Sequence, residues 1–174
     1  FLAIMSAVAL ATCAVMPLVI SLQPLIFGIS QLVTALQIGV FFAIGLYKVR
    51  KPGSLLIMAL MMGLIQLMMS PPMFLSSVLN GVLIELIVLL LFRGYEKDGA
   101  VFCAAMLHTP LSLPFNYLYN RLVKGADSPL AAVADRAPLA AVGMTLAVVA
   151  VSALGALIGI KIARELKKSG VLKK

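Results

Sequence analysis

The chain has 174 residues, 63% of them hydrophobic and 11% charged, with a mean hydropathy of +1.13. A soluble domain is roughly a quarter charged, so this composition excludes one and points to a polytopic membrane protein. The net charge of +8 does not indicate nucleic acid, because the basic residues stand in short runs between apolar segments, the pattern of membrane topology signals.

A spanning helix takes about 20 apolar residues at ~1.5 Å rise each. That rule predicts an all-α fold, a compact bundle of six transmembrane helices forming one domain over 1–174, with spans at about 1–20, 25–47, 54–69, 73–92, 99–119 and 138–160. In the first span Ala3, Ala7 and Ala11 recur at four-residue spacing with no charge among them, which makes one smooth helix face. In a bilayer such a face lets a second helix approach closely; packing within the same chain is the plainer use of it. The apolar stretch before Ala7-Val8-Ala9 is too short for a signal-peptide core, so residue 1 is expected to lie inside the first helix. Pro17 stands near the end of that helix, and Ser21-Leu22-Gln23-Pro24 reads as a turn.

Lys48, Arg50 and Lys51 with Pro52-Gly53 stop the second span, since cations and a Pro-Gly pair do not sit in hydrocarbon. The third is short and methionine-rich and breaks at Ser70-Pro71-Pro72. A polar loop at 93–98 follows the fourth. The fifth carries Pro110 and Pro114, whose missing backbone donors predict a kink and unpaired carbonyls. Residues 120–137 read as the longest loop, Pro138 as the opening of the sixth span and 161–174 as a basic tail.

Of the 14 Lys and Arg, all but Arg121, Lys124 and Arg136 fall on one side of a six-span chain. The positive-inside rule then places both termini in the cytoplasm. Cys13 and Cys103 both lie in apolar segments, so buried free thiols are expected.

The outward half of this bundle collects groups suited to a small molecule. Gln23, Phe27 and Gln31 lie by the first outer loop; Gln66, Ser70, Phe74, Ser76, Ser77 and Asn80 by the second; Phe115, Asn116, Tyr117, Tyr119, Asn120 and Arg121 by the third. Ligand pockets are mostly apolar with a few convergent polar groups, and this set would suit a heteroaromatic solute; Tyr and Asn also populate membrane interfaces for their own sake. Glu85 and His108 are the ionisable side chains well inside the spans, where such groups are costly and usually functional. At matching depth they are expected to pair, either as a packing clamp with Gln37 or as a substrate contact, with His108 also open as an axial ligand to a metal-containing cofactor. No P-loop, His-Glu-x-x-His or Gly-x-Ser-x-Gly motif is present, so ATP binding and these hydrolytic chemistries are not expected of this chain.

The whole chain resembles the S component, the substrate-binding membrane subunit, of an energy-coupling factor (ECF) type ABC transporter. The resemblance is carried by Ala3-x-x-x-Ala7-x-x-x-Ala11, the Arg50-Lys51-Pro52-Gly53 turn, Gly63, the segment Asn80-Gly81-Val82-Leu83-Ile84-Glu85, and Gly155-x-x-x-Gly159 followed by Ala163-Arg164-Glu165-Leu166-Lys167-Lys168-Ser169-Gly170. The last two resemble the MptD-like (Trep-Strep) branch, and 50–53 is also similar to the thiamine-related YkoE branch. The resemblance implies a subunit that binds a vitamin-like micronutrient from outside, docks through its first helix on a coupling subunit carrying two ATPases, and topples to release its cargo inside. It also implies that Ala3, Ala7 and Ala11 form the docking face and that the loop at 21–24 caps the pocket. No catalytic residue, metal or cofactor is expected of this chain, and ATP is used by the partners. The chain departs from several thiamine- and biotin-type pockets in having no tryptophan, so ring stacking would fall to Phe or Tyr. The alternatives are a structural subunit of another membrane complex and a small lipid or isoprenoid enzyme, for which Asp127 and Asp135 make a poor metal pair. A thiamine precursor, folate, pantothenate, cobalamin and haem all remain open as substrate.

Overall fold

Glycine and proline set the helix ends in this chain. In the computed structural model, which describes residues 1–12, 26–68, 71–123, 125 and 128–170, the described apolar runs are helical and none is a strand. The helices are α1 (Leu2–Thr12), α2 (Ile29–Lys48), α3 (Ser54–Leu67), α4 (Pro71–Phe92), α5 (Asp98–Val123), α6 (Pro129–Arg136) and α7 (Pro138–Lys168). Gly28 and Gly53 precede α2 and α3 at φ 76° and 85°, a left-handed backbone that a Cβ disfavours. Three helices, α2, α4 and α7, are long and apolar enough to cross a membrane; α1 and α3 are shorter apolar helices.

The region expected as the long loop at 120–137 is largely helical instead. α5 continues to Val123, so Asn120 and Arg121 lie on a helix, and Pro129–Arg136 forms a helix of its own. Its proline stands at the first turn, where a missing N–H costs nothing. α7 likewise runs past the expected end at 160 to Lys168, carrying half of the basic tail as helix.

α5 passes through Pro110 and Pro114 as one helix. Proline at 110 deprives the carbonyl of Met106 of its usual donor, and Ser152 of α7 supplies the replacement, its Oγ donating to that carbonyl at 2.7 Å. Of the carbonyls expected to be unpaired, that of Met106 is therefore satisfied from a neighbouring helix, as the interior of a membrane protein demands.

α2 is the central post: it packs against α1, α5 and α7, while α3, α4 and α5 follow one another around it. Of its apolar stretch 61% is buried, against 33% for α4 and 22% for α7. Its contact with α7 is close because small residues line it. A Cβ on Gly155 would meet the carbonyl oxygen of Leu36 at 2.5 Å, and one on Gly159 that of Val40 at 2.5 Å. Gly39 offers the same approach from α2, 3.0 Å from the carbonyl of Ser152. This is small-xxx-small packing within the chain. Below it lies the core of Phe42, Leu46, Leu55, Met58, Ile84, Val88 and Val101, all fully buried. The outer surface is apolar, with Leu90, Leu91, Leu122, Leu139 and Leu146 each more than half exposed, as for helices that meet lipid.

Candidate functional site

Inside the bundle a small set of polar side chains is buried without protein partners. Asn80 Oδ1 on α4, and Thr109 Oγ1 and both ring nitrogens of His108 on α5, accept or donate no hydrogen bond among the described residues. Asn80 is 1%, Thr109 3% and His108 5% exposed. The His108 ring lies against Phe42 of α2, centroids 4.4 Å apart and planes at 43°. Buried polar atoms are nearly always hydrogen-bonded. Four orphaned atoms on two packed helices therefore mark where polar atoms of a ligand or of water would be taken up. A neutral imidazole offers one donor and one acceptor, an amide oxygen an acceptor and a threonine hydroxyl either. Phe42, which the His108 ring meets, is itself fully buried in the apolar core.

The expected Glu85–His108 pair is not formed. Glu85 instead reaches the chain turns at one end of the bundle, accepting from the backbone N–H of Gly53 at 2.6 Å and from the hydroxyl of Tyr95 at 2.9 Å. Tyr95 is fully buried, and burial pushes its phenol up, the hydrogen bond to Glu85 adding to the effect; it remains a donor. Glu85 thus ties the loop before α3 to the loop before α5, which explains a costly carboxylate without any substrate. The spacing along α4 could not reveal this, because the partner loops are remote in sequence. Tyr95, which sequence reasoning passed over as a loop residue, is the missing member.

Beside it, Asp98 bridges Arg50 at 2.5 Å and Arg164 at 2.6 Å, while Arg50 also bonds the carbonyl of Glu96 and stacks on Tyr47, 4.2 Å from its centroid. Burial raises the affinity of Asp98 for a proton, but the Arg164 and Arg50 guanidiniums outweigh it and hold the carboxyl below its usual range.

The remaining candidates are scattered. Ser77 is spent on packing, donating to the carbonyl of Ala59 on α3 at 2.9 Å. Gln31 accepts from Ser30 at 2.8 Å, and Phe27 packs beside Ala35, Leu113 and Val148. Phe74 lies over Gly63, where a Cβ would come within 3.2 Å of its ring; Gln66, Ser76, Phe115, Asn116 and Tyr119 are half-buried. Arg121 and Tyr117 both engage Asp135 of α6, at 2.8 and 2.7 Å. Asn120 donates to the carbonyl of Asn116 and accepts from Ser128. These contacts fasten α6 to the end of α5. Gln23, Ser70, Lys124, Asp127, Cys13 and the turn at 21–24 lie outside the described residues; Cys103 is a half-buried free thiol.

Ala3, Ala7 and Ala11 are all exposed. α1 turns Leu2, Ser6 and Ala9 inward, with Ser6 Oγ bonded to the carbonyls of Leu2 and of Met58 on α3. Among the described residues no cluster of three or more His, Cys, Asp or Glu side chains could hold a metal ion.

A family model described as a hypothetical bacterial integral membrane protein (Trep_Strep) matches residues 1–168. No curated protein and no solved structure matches the chain. With apolar helices long enough to cross a bilayer and a family match over nearly its whole length, the chain belongs to the Trep_Strep family of bacterial integral membrane proteins.

Proposed function

We propose that this chain is the substrate-binding S component of an ECF-type importer in the bacterial plasma membrane, with six spans and both termini in the cytoplasm. It takes a vitamin-like or cofactor-like solute from outside and delivers it by docking on a coupling subunit driven by two ATPases. It is not itself an enzyme, and ATP is hydrolysed only by those partners. The observation that carries this reading is the outward alanine face of α1: Ala3, Ala7 and Ala11 are exposed, while Ser6 and Ala9 are buried on the opposite side. A face of small residues turned to lipid is fit for reversible close packing against another helix.

The buried set of Asn80, His108 and Thr109, with polar atoms that no protein group satisfies, supports a solute site inside the bundle. Asn116, Tyr117, Asn120 and Arg121 belong to the mouth of that site rather than its floor. Native mass spectrometry of the purified chain tests the reading. Retention of a small molecule by the wild type, and its loss in His108→Phe and Asn80→Leu with folding intact, is the expected result. A chain that carries no solute yet co-purifies with a different membrane complex would make it a structural subunit instead.

A further inference from the structure

A second feature lies at the end of the bundle that carries the Asp98 bridge. There α5 and α7 frame a groove of about 650 Å³. Its floor is apolar, formed by Phe102, Leu157 and Ile160, and its rim is basic, formed by Lys161, Arg164 and Lys168. Leu157, Lys161, Arg164 and Lys168 follow one another at four- and three-residue steps along α7, so they share one face. From Leu157 to Lys168 that face is ~16 Å long at the helical rise, its apolar end inside the span read to 160 and its basic end beyond it.

Each carboxylate in the groove is matched by a cation, which leaves Lys161 as the unmatched charge on the rim. Asp98 is held by Arg50 and Arg164, and Glu165 by Lys168 at 2.8 Å. Lys161 makes no hydrogen bond or ion pair among the described residues, although its charge is felt at Glu165. With Arg50 behind Asp98, cations outnumber carboxylates. Leu157 is 55% exposed directly beside these charges, an apolar wall that a free phosphate would not use but an acyl chain would.

We infer that this groove holds one anionic phospholipid of the phosphatidylglycerol type, its phosphate against Lys161 and Lys168 and an acyl chain along Leu157 and Phe102. Basic pockets between membrane helices take acidic headgroups in this way. The inference does not depend on the importer reading and stands or falls separately.

Native mass spectrometry of the detergent-purified chain, offered phosphatidylglycerol and phosphatidylcholine in equal amounts, provides the test. Wild type is expected to retain phosphatidylglycerol over phosphatidylcholine by about fivefold or more, and Lys161→Gln/Lys168→Gln to lose on the order of tenfold of that retention. Leu157→Trp, which fills the acyl wall and leaves every charge in place, is expected to lose it too. Both variants lie at exposed positions and should melt like wild type in lipid-free detergent; Lys161→Gln alone carries the test if the double variant does not fold. Equal retention of the two lipids, unchanged retention in the variants, or displacement of the lipid by millimolar inorganic phosphate would overturn it. So would a dimer that Leu157→Trp dissolves, which would assign the groove to a second copy of the chain.

Discussion

Two stripes of small residues run along this chain at the same four-residue spacing, and they face opposite ways. Gly155 and Gly159 of α7 are buried against Leu36, Val40 and Ala43 of α2, with no room for a methyl group. Ala3, Ala7 and Ala11 of α1 touch no such partner and lie exposed. Spacing alone treats the two alike. What separates them is the three-dimensional count of neighbours: α7 has α2 and α5 to pack on, whereas α1 contacts α2 and α3 through Leu2, Ser6 and Ala9 and leaves its other side bare. One stripe holds the bundle together and the other lies exposed.

The strongest way to break this contrast is Gly159→Leu. Its Cβ would stand 2.5 Å from the carbonyl oxygen of Val40 and 2.7 Å from Ala43 Cβ, and backbone cannot yield cheaply. A loss of about 3 kcal/mol or outright failure to give a monodisperse particle is expected, read by thermal unfolding in detergent. Unchanged melting would mean that α2 and α7 are not in the close contact described.

Glu85→Leu comes next, since it strands the Tyr95 hydroxyl and the Gly53 N–H together. The expected loss is about 2–3 kcal/mol, with Glu85→Gln recovering part of it because an amide oxygen still accepts. If Glu85 served a solute instead, the substitution would spare unfolding and abolish binding.

A smaller effect is expected at Asp98. Its folded-state affinity for a proton is below that of the unfolded chain, so the stabilisation is present above the ordinary carboxylate value of 3.8 and disappears as pH falls through and beneath it. Because Asp98 and both arginines are partly exposed, the size is under about 1 kcal/mol. Asp98→Asn should flatten that part of the pH–stability curve; an unaltered acid limb would remove the bridge from the account.

The smallest effect on folding is expected from Ala7→Leu, less than about 0.5 kcal/mol at an exposed site. Its effect on assembly should be the reverse, with recovery of a coupling subunit in pull-down falling at least about tenfold. Destabilisation comparable to Gly159→Leu would show that both stripes serve internal packing.

Much of the helical outline was legible because its signals are local. Pro138 and the Pro52-Gly53 pair mark helix starts, and long apolar runs report the membrane by composition alone; the starts at Ile29 and Pro71 fall four residues after and two before those read. The helix at Pro129–Arg136 carried a local signal too, a Ser-Pro pair at 128–129, outweighed by the charges around it. The candidate site was only partly readable. Asn80 and His108 stood out as polar residues in apolar runs, but Gln31, Ser77, Tyr117, Asn120 and Arg121 turned out to be engaged by neighbouring protein groups. Spacing could not announce the partners that come from other helices or loops, Ala59 for Ser77, Asp135 for Tyr117 and Arg121, and Ser128 for Asn120, whereas Ser30 beside Gln31 and Asn116 and Tyr117 one turn before Asn120 and Arg121 are local.

By itself, then, the order of residues determined an all-helical membrane protein, most of the helix starts and which side chains are polar in an apolar setting. Those properties follow from hydropathy and from the backbone limits of proline and glycine, which act over a few residues. Only the tertiary structure decided which face of each helix turns inward. A helix that is apolar all round carries little amphipathic record of its orientation. The direction of Ala3, Ala7 and Ala11, the reach of Glu85 to Tyr95 and Gly53, and the isolation of His108 beside Phe42 are therefore set by which helices pack together.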